Sequence, residues 1–274
     1  MPKTSINTFV NKKNISSLDR GFNFGDGLFE TILVQNNKPL YLKEHIERLH
    51  KGCCVLGLIK PSNKLIYKNI KLAIGNSNNC IVKIIFTRGS SSYGYKIDDN
   101  LTPNLYFFKH QIQISGEKFN TNQLGISTYI LKANNDLSKI KHLNRIEQVM
   151  ISKNLLKQSK YRDLIAVDAN NNIIECISSN IFFVNFKKST PIFYTPIIKD
   201  VGIEGILRSK IISFLKNKQY IIKIINIPLS KIDKFDACFT TNSIRGVTFI
   251  SQIKKTKFFF DDFLYNVLKK YIYN

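Results

Sequence analysis

The chain has 274 residues, of which 43% are hydrophobic, 12% aromatic and 22% charged. That length suits one large domain or two modest ones with real cores, and no apolar run approaches the roughly 18 residues that span a bilayer. Its 41 lysines and arginines against 19 acidic residues leave a net charge of +22, a balance that admits nucleic-acid binding. The lysines, however, are scattered from Lys3 to Lys270 with no dense run, in a chain also rich in Asn and Ile. A compositional drift toward Lys, Asn and Ile accounts for the charge better than a nucleic-acid face, so neither a nucleic-acid nor a membrane partner is expected. Residues 1–10 lack the apolar core of a signal peptide, which points to the cytoplasm. Cys53 and Cys54 adjoin, whereas Cys80, Cys176 and Cys238 stand alone. That pattern argues against a disulfide framework and a thiolate zinc site, and makes the cysteines small buried hydrophobes.

In chain order, Gly21, Gly25 and Gly27 crowd residues 19–31 (DRGFNFGDGLFET), with Asp19, Asp26 and Glu30 between them. Glycine at this density implies tight turns or a close backbone approach, leading into a strand over 28–34. Leu42, Ile46, Leu49, Cys53 and Leu56 recur at helical spacing, and Gly57 and Pro61 end that helix. Residues 81–87 are β-branched and read as a buried strand. The polar stretch 115–125 (SGEKFNTNQLG) reads as a linker between domains spanning 1–114 and 126–274. A second helix, marked by Leu143, Ile146, Val149 and Met150, is expected to open near Lys141. Strands follow over 164–168, 173–176 and 181–186, the first two joined by a turn at Asn170, Asn171 and Asn172. Residues 206–215 look helical and 220–225 extended, and a last helix carries Phe263, Leu264, Val267, Leu268 and Tyr271 behind a cap at Asp261 or Asp262. Hairpins mixed with helices give an α+β fold rather than regular βαβ winding.

Several segments are over-specified for packing. Lys141 opens KHLNRIEQ (141–148), and a cation at a helix start opposes the helix dipole. Glu175, in ECISSNIFFV (175–184), lies among strand residues where a carboxylate is rarely buried without a partner. Gly202 and Gly205 lead into the helix beginning at Ile206, whose N-terminal amides suit a phosphate. Thr241 and Ser243, in TTNSIRG (240–246), offer hydroxyls for the same task. No metal is expected, because His45, His50, His110 and His142 do not form H-E-x-x-H, and neither a G-x-S-x-G elbow nor a P-loop is present.

Together these segments resemble the class IV aminotransferase family, the fold-type IV pyridoxal-phosphate enzymes. The resemblance runs, in order, over DRGFNFGDGLFET, HIERL (45–49), RGSSSYGY (88–95), KHLNRIEQ, ECISSNIF, GIEGILR (202–208) and TTNSIRGVTFI (240–250). It implies two α/β subdomains with pyridoxal 5'-phosphate between them, the larger C-terminal one binding the cofactor, and a homodimer. Position by position, it implies that Lys141 is the Schiff-base lysine, that Glu175 pairs with the pyridine nitrogen and that Arg48 binds the phosphate. The helix-start amides of Ile206 and Leu207 would hold the same phosphate, with Asn242 or Ser243 as a further contact. Thr31 would assist proton transfer, and Arg88 would meet a substrate carboxylate, reaching across a dimer interface.

These residue types suit the chemistry. A free lysine amine has a pKa of about 10.4; bound to the cofactor it exchanges with a substrate amine, and once released it acts as a base. A carboxylate at the pyridine nitrogen keeps the ring an electron sink, and arginine grips phosphate as a fork. The string KHLNRIEQ, with LKANNDLSKI (131–140) before it, resembles the lyases that act on 4-amino-4-deoxychorismate more than branched-chain or D-amino-acid aminotransferases, which remain the alternative. The family pattern is broken at Phe249, where a proline is usual, and at Thr8, where a glycine is usual. Both put local turn geometry in question rather than activity.

Overall fold

The computed structural model describes residues 5–92, 94–98, 100–112, 122–133, 135–186 and 190–272. The chain divides into two compact units, Met1–Ile114 with Ile140–Arg145, and Ser115–Lys139 with Ile146–Asn274. Residues 140–145 therefore belong with the N-terminal unit, although the sequence places them in the C-terminal half. Of the expected linker, residues 115–121 lie outside the described residues and 122–125 begin a strand.

The first unit contains β1 (Asn7–Val10), α1 (Arg20–Phe24), β2 (Gly27–Gln35), β3 (Lys38–Pro39), α2 (Leu42–Leu56), α3 (Asn63–Ile74), β4 (Cys80–Thr87) and β5 (Asn104–Gln111). Its sheet has the order β1-β5-β4-β2-β3, antiparallel except for the β1–β5 pair. Alternation along β2 buries Leu28, Glu30 and Ile32 on one face. Leu28 and Ile32 join Val82, Ile84, Phe86, Leu105 and Phe107 from the other strands and Ile46, Leu49, Ile66 and Ile70 from α2 and α3 in one core. Helix α2 ends on Gly57 in the left-handed conformation, as its sequence predicts. Cys54 is exposed, which corrects its expected burial: it follows the fully buried Cys53 on a helix, where adjacent side chains point about 100° apart.

On the other face Asp19 is a buried acceptor for four donors. Its Oδ1 caps α1 through Gly21 N at 2.8 Å, and its Oδ2 accepts from Thr87 Oγ1 (3.0 Å), Asn104 Nδ2 (2.8 Å) and the Tyr106 hydroxyl (2.9 Å). Burial, reinforced by this bond, pushes the Tyr106 hydroxyl above its ordinary pKa. Asp26 lies between two arginines, Arg20 Nε at 2.9 Å and Arg88 Nε at 2.8 Å. Burial raises its pKa, but the hydrogen bonds and charges of Arg88 and Arg20 outweigh that and hold it below the usual carboxylate value.

Residues 141–143 run antiparallel along the edge of β2. Phe29 N donates to Lys141 O at 3.0 Å, Leu143 N donates to Gly27 O at 2.9 Å, and His142 bridges Leu28. The helix expected to open near Lys141 begins only at Ile146. The backbone of 141–143 is engaged by β2 and is extended, so no helix dipole acts on Lys141.

The second unit contains β6 (Asn122–Ile130), α4 (Ile146–Leu156), β7 (Asp163–Val167), β8 (Asn172–Cys176), β9 (Asn180–Asn185), β10 (Ile192–Pro196) and α5 (Ile206–Asn217). It continues with β11 (Ile221–Ile225), β12 (Ile227–Pro228), β13 (Ala237–Asn242), β14 (Gly246–Ile253), β15 (Thr256–Lys257) and α6 (Asp262–Leu268). The mixed sheet runs β11-β10-β9-β13-β14-β6-β7-β8-β12, with β15 paired to β14. Strand β7 is buried on both faces: Ile165 and Val167 enter one cluster with Phe183 and Ile250, and Leu164 and Ala166 another with Ile151 of α4. Asp261 caps α6, accepting from Leu264 N at 3.0 Å. Phe249 continues β14 opposite Phe239 and meets Phe260 edge-on at 5.0 Å, and Thr8 pairs with Leu105 within β1. Both departures from the family pattern are thus absorbed in regular strands. Among the described residues no helix is long and apolar enough to cross a membrane.

Two stability predictions follow from the first unit. Asp19→Ala strands three side-chain donors and an uncapped amide, so urea denaturation should show a loss of roughly 3 kcal/mol. Burial, with the Arg145 charge second, pushes the His142 imidazole down to about 4 from 6.5. The folded state then resists a proton that the unfolded chain accepts. The His142 contribution is complete above pH 6.5 and is lost as the pH falls toward 4. Melting temperatures measured across that window should fall less steeply for His142→Asn than for the parent protein.

Candidate active site

The pairing of 141–143 with β2 determines where the Lys141 side chain goes. His142 lies opposite Leu28 and shares its inward face, so Lys141 projects to the opposite face with Phe29. Its Nζ lies 4.2 Å from the centre of the Phe29 ring, a cation–π contact. Thr31, two residues along β2, is half-buried on that same face and pairs with Lys83 of β4. The unit therefore brings Lys141 and Thr31 to one surface of one sheet.

Arg48 belongs to a buried cluster on the α2 side of the same strand. Glu30 is 1% exposed, and its Oε1 accepts from Arg48 Nε at 2.7 Å while Oε2 accepts from Arg48 Nη2 at 2.6 Å. The same Oε2 lies 2.6 Å from His45 Nδ1. His45 and Arg48 are one helical turn apart on α2, which places both on the face over β2. Burial acts to raise the Glu30 pKa, but the charge and hydrogen bonds of Arg48, followed by those of His45, hold it down to about 2. Arg88 is held by contacts within its own unit. Its Nε and Nη2 fork onto Asp26, and Nη2 and Nη1 also reach the carbonyls of Leu56 (2.7 Å) and Gly57 (3.4 Å). Tyr93, in the same string, lies outside the described residues.

In the second unit, the loop 202–205 gathers the remaining residues. Glu175, on β8 and 6% exposed, accepts from Ile203 N through Oε2 at 2.9 Å. Gly202 makes this possible: its φ is +87°, and a Cβ there would stand 2.7 Å from Ile174 Cγ2. Asn180 clamps the other end, donating from Nδ2 to Ile203 O (2.9 Å) and accepting from Gly205 N (3.0 Å). A Cβ on Gly205 would fall 2.1 Å from that Asn180 oxygen. Gly205 is the N-cap of α5 and offers no side chain, so Ile206 and Leu207 present first-turn amides to a helix end without a side-chain cap or acidic residue. Arg208, one residue on, is buried against Thr195 Oγ1 (3.3 Å) and the Pro196 carbonyl (2.8 Å).

Thr241 is opposite Asn180 in the β13–β9 ladder, so the two side chains share a face of the sheet. The Thr241 hydroxyl is buried without a hydrogen-bond partner among the described residues. Asn242 serves the hairpin instead: its Oδ1 accepts from Ile244 N (2.7 Å) and Arg245 N (3.2 Å), and its Nδ2 donates to Ser178 O. Ser243 is half-buried at the tip of the same hairpin.

This second-unit cluster fits a phosphorylated pyridine. A buried carboxylate suits a ring N–H, while uncapped helix amides and an orphaned hydroxyl beside them suit a phosphate. Sequence reasoning singled out Glu175, the Ile206 helix start and the Thr241 hydroxyl. It missed Asn180, which orients the loop, and Glu30 and His45, which hold Arg48. Asn180 stood inside the quoted string ECISSNIF, but a clamp between residues 25 apart has no local signature.

Comparison with known proteins shows the family. The family model described as amino-transferase class IV matches residues 27–253. A Vibrio harveyi protein named aminodeoxychorismate lyase is 26% identical over 240 residues, covering 86% of each chain. A Rickettsia felis protein named probable branched-chain-amino-acid aminotransferase is 30% identical over 258 residues, covering 90% of this chain and 85% of that one. The crystal structure of a putative 4-amino-4-deoxychorismate lyase from Legionella pneumophila superposes with a TM-score of 0.86 at 24% identity, covering 98% of both chains, which shows the fold. This chain belongs to the class IV aminotransferase family, whose members depend on pyridoxal 5'-phosphate.

Proposed function

We propose that the chain is a 4-amino-4-deoxychorismate lyase, converting 4-amino-4-deoxychorismate to 4-aminobenzoate and pyruvate for folate synthesis, as a cytoplasmic homodimer. The observation that carries this choice within the family is the string at 141–148, KHLNRIEQ, which resembles the lyases rather than the aminotransferases. The similarity to the Vibrio harveyi lyase supports it. The similarity to the Rickettsia felis protein supports a second reading, an aminotransferase acting on branched-chain amino acids.

Pyridoxal 5'-phosphate, when bound, supplies an electron sink that weakens the bond to the proton on the substrate carbon bearing nitrogen. The residues divide the remaining work. Lys141 would hold the cofactor through Nζ, and its amine, when free, would accept the proton from the substrate carbon bearing nitrogen. Thr31, on the same face of β2, assists that proton transfer. Glu175 would pair with the pyridine nitrogen, and the Ile203 amide, donating to its Oε2, orients the carboxylate. The amides of Ile206 and Leu207 and the hydroxyls of Thr241 and Ser243 would bind the phosphate, and the family resemblance gives Arg48 the same role. Asn242 supports them by fixing the hairpin. The substrate's C–O bond to the enolpyruvyl group breaks as the proton leaves, the ring becomes aromatic, and the released enolate takes up a proton on carbon to give pyruvate.

Three measurements test this. Purified enzyme given 4-amino-4-deoxychorismate should release equimolar 4-aminobenzoate and pyruvate; transfer of amino groups from branched-chain amino acids to 2-oxoglutarate without lyase turnover would select the second reading. Lys141→Ala should fold yet lose both the visible cofactor absorbance and lyase turnover, and retention of both would remove Lys141 from the site. Glu175→Gln should keep the cofactor absorbance but lower kcat by about a hundredfold, whereas an unchanged rate would reassign that carboxylate.

A further inference from the structure

A helix start is ordinarily fixed by a side chain at its N-cap, whose oxygen takes up one of the first free amides. Helix α5 is built otherwise. Its N-cap, Gly205, carries no side chain, and the first-turn amides of Ile206 and Leu207 receive no side-chain cap. The start is held instead from strand β9, by the buried Asn180. Its Oδ1 accepts from Gly205 N at 3.0 Å and its Nδ2 donates to Ile203 O at 2.9 Å, so one planar amide spans the residues just ahead of the helix. A Cβ on Gly205 would fall 2.1 Å from that Oδ1, so the clamp and a side-chain cap at position 205 exclude one another. Thr241 lies opposite Asn180 in the sheet, and its buried hydroxyl has no partner among the described residues. A buried hydroxyl of this kind points to a group that the chain itself does not supply. Every residue in this arrangement belongs to the second unit.

We propose that Asn180 is a positioning residue for phosphate recognition: by fixing the residues ahead of α5 from outside the helix, it keeps the amides of Ile206 and Leu207 rigid yet uncapped for a phosphate oxygen. The proposal rests on the reading of the α5 start as a phosphate site, and it holds for a lyase and an aminotransferase alike. Backbone amides fixed in advance lose little freedom when they bind an anion, and the helix dipole adds to the attraction. A serine or aspartate at position 205 would also fix the helix start, but its oxygen would compete with the phosphate for the same amides. The neutral amide of Asn180 avoids this, because it offers one acceptor and one donor to the backbone on either side of residue 204 and adds no charge. The same clamp holds Ile203, whose amide donates to Glu175 Oε2 at 2.9 Å, so the carboxylate and the helix start are tied to one loop.

The test compares pyridoxal 5'-phosphate with pyridoxal, which lacks the phosphate. Dissociation constants measured by absorbance titration of the apo-protein give the preference for the phosphorylated ligand. In Asn180→Ala that preference should fall about tenfold, with pyridoxal bound as in the parent. Ile206→Pro reads the phosphate site itself, because proline is tolerated at the first position of a helix and removes one amide hydrogen there; the preference should fall in this variant too. A preference unchanged in Ile206→Pro overturns the reading of the α5 start as a phosphate site, and the proposal with it. A preference lost in Ile206→Pro but parental in Asn180→Ala overturns the role of Asn180 alone. Equal weakening of both ligands in Asn180→Ala makes Asn180 a structural residue and overturns the proposal. The double variant Asn180→Ala with Gly205→Ser separates stability from recognition, since the serine can cap the helix once the Asn180 oxygen is gone. Its melting temperature should exceed that of Asn180→Ala while the preference stays low, and recovery of the parental preference would overturn the proposal. Should Asn180→Ala fail to fold, this capped double variant carries the test with the same expected and overturning results.

Discussion

Two backbone hydrogen bonds, between residues 141–143 and the edge of β2, govern much of what the first unit can do. A strand edge carries unsatisfied amides and carbonyls that must find partners, and here a segment from far along the chain supplies them. Once Phe29 N and Gly27 O are paired, strand alternation leaves Lys141 no choice of face. It stands with Phe29 and Thr31, away from the packed core. The face on which the Lys141 amine stands is thus set by register, a rigid backbone property, rather than by the conformation of a long flexible side chain.

The string 19–31 shows how a short stretch can be dense in acid without being an acidic patch. Asp19, Asp26 and Glu30 each serve a different internal purpose: Asp19 ties α1 to β4 and β5, Asp26 joins Arg20 to Arg88, and Glu30 joins His45 to Arg48. Each carboxylate collects at least two donors, which offsets its desolvation. The second unit uses the opposite device. Its loop at 202–205 omits side chains at Gly202 and Gly205 so that amides can approach Glu175 and Asn180 directly.

Much of this was legible beforehand where the signal is local. Helical spacing located α2 and its end at Gly57, and β-branched runs located β2, β4, β7, β8 and β9 to within a residue or two. Helix α3 went unread although Ile66, Ile70, Ala73 and Ile74 carry its inward stripe. The error at Lys141 has a physical origin: Leu143 and Ile146 satisfy a helical period, but the partner that extends 141–143 lies more than a hundred residues away. The engagement of Arg88 by Asp26, of Arg48 by Glu30 and of Ile203 by Glu175 is likewise invisible to periodicity, because each joins residues on separate elements. Family resemblance, by contrast, pointed to Lys141 and Glu175 without any knowledge of these contacts.

The return of residues 140–145 to the first unit also has a consequence for how the polypeptide can be made and divided. A ribosome must synthesise well beyond the last strand of that unit, β5, before the edge of β2 can be closed. Until then the nascent sheet exposes part of a β2 edge that favours pairing with other chains. A fragment cut after residue 114 would carry this bare edge permanently. The N-terminal unit is therefore contiguous in space but not in sequence, and any split, fusion or permutation of the gene has to carry the 140–145 segment with it.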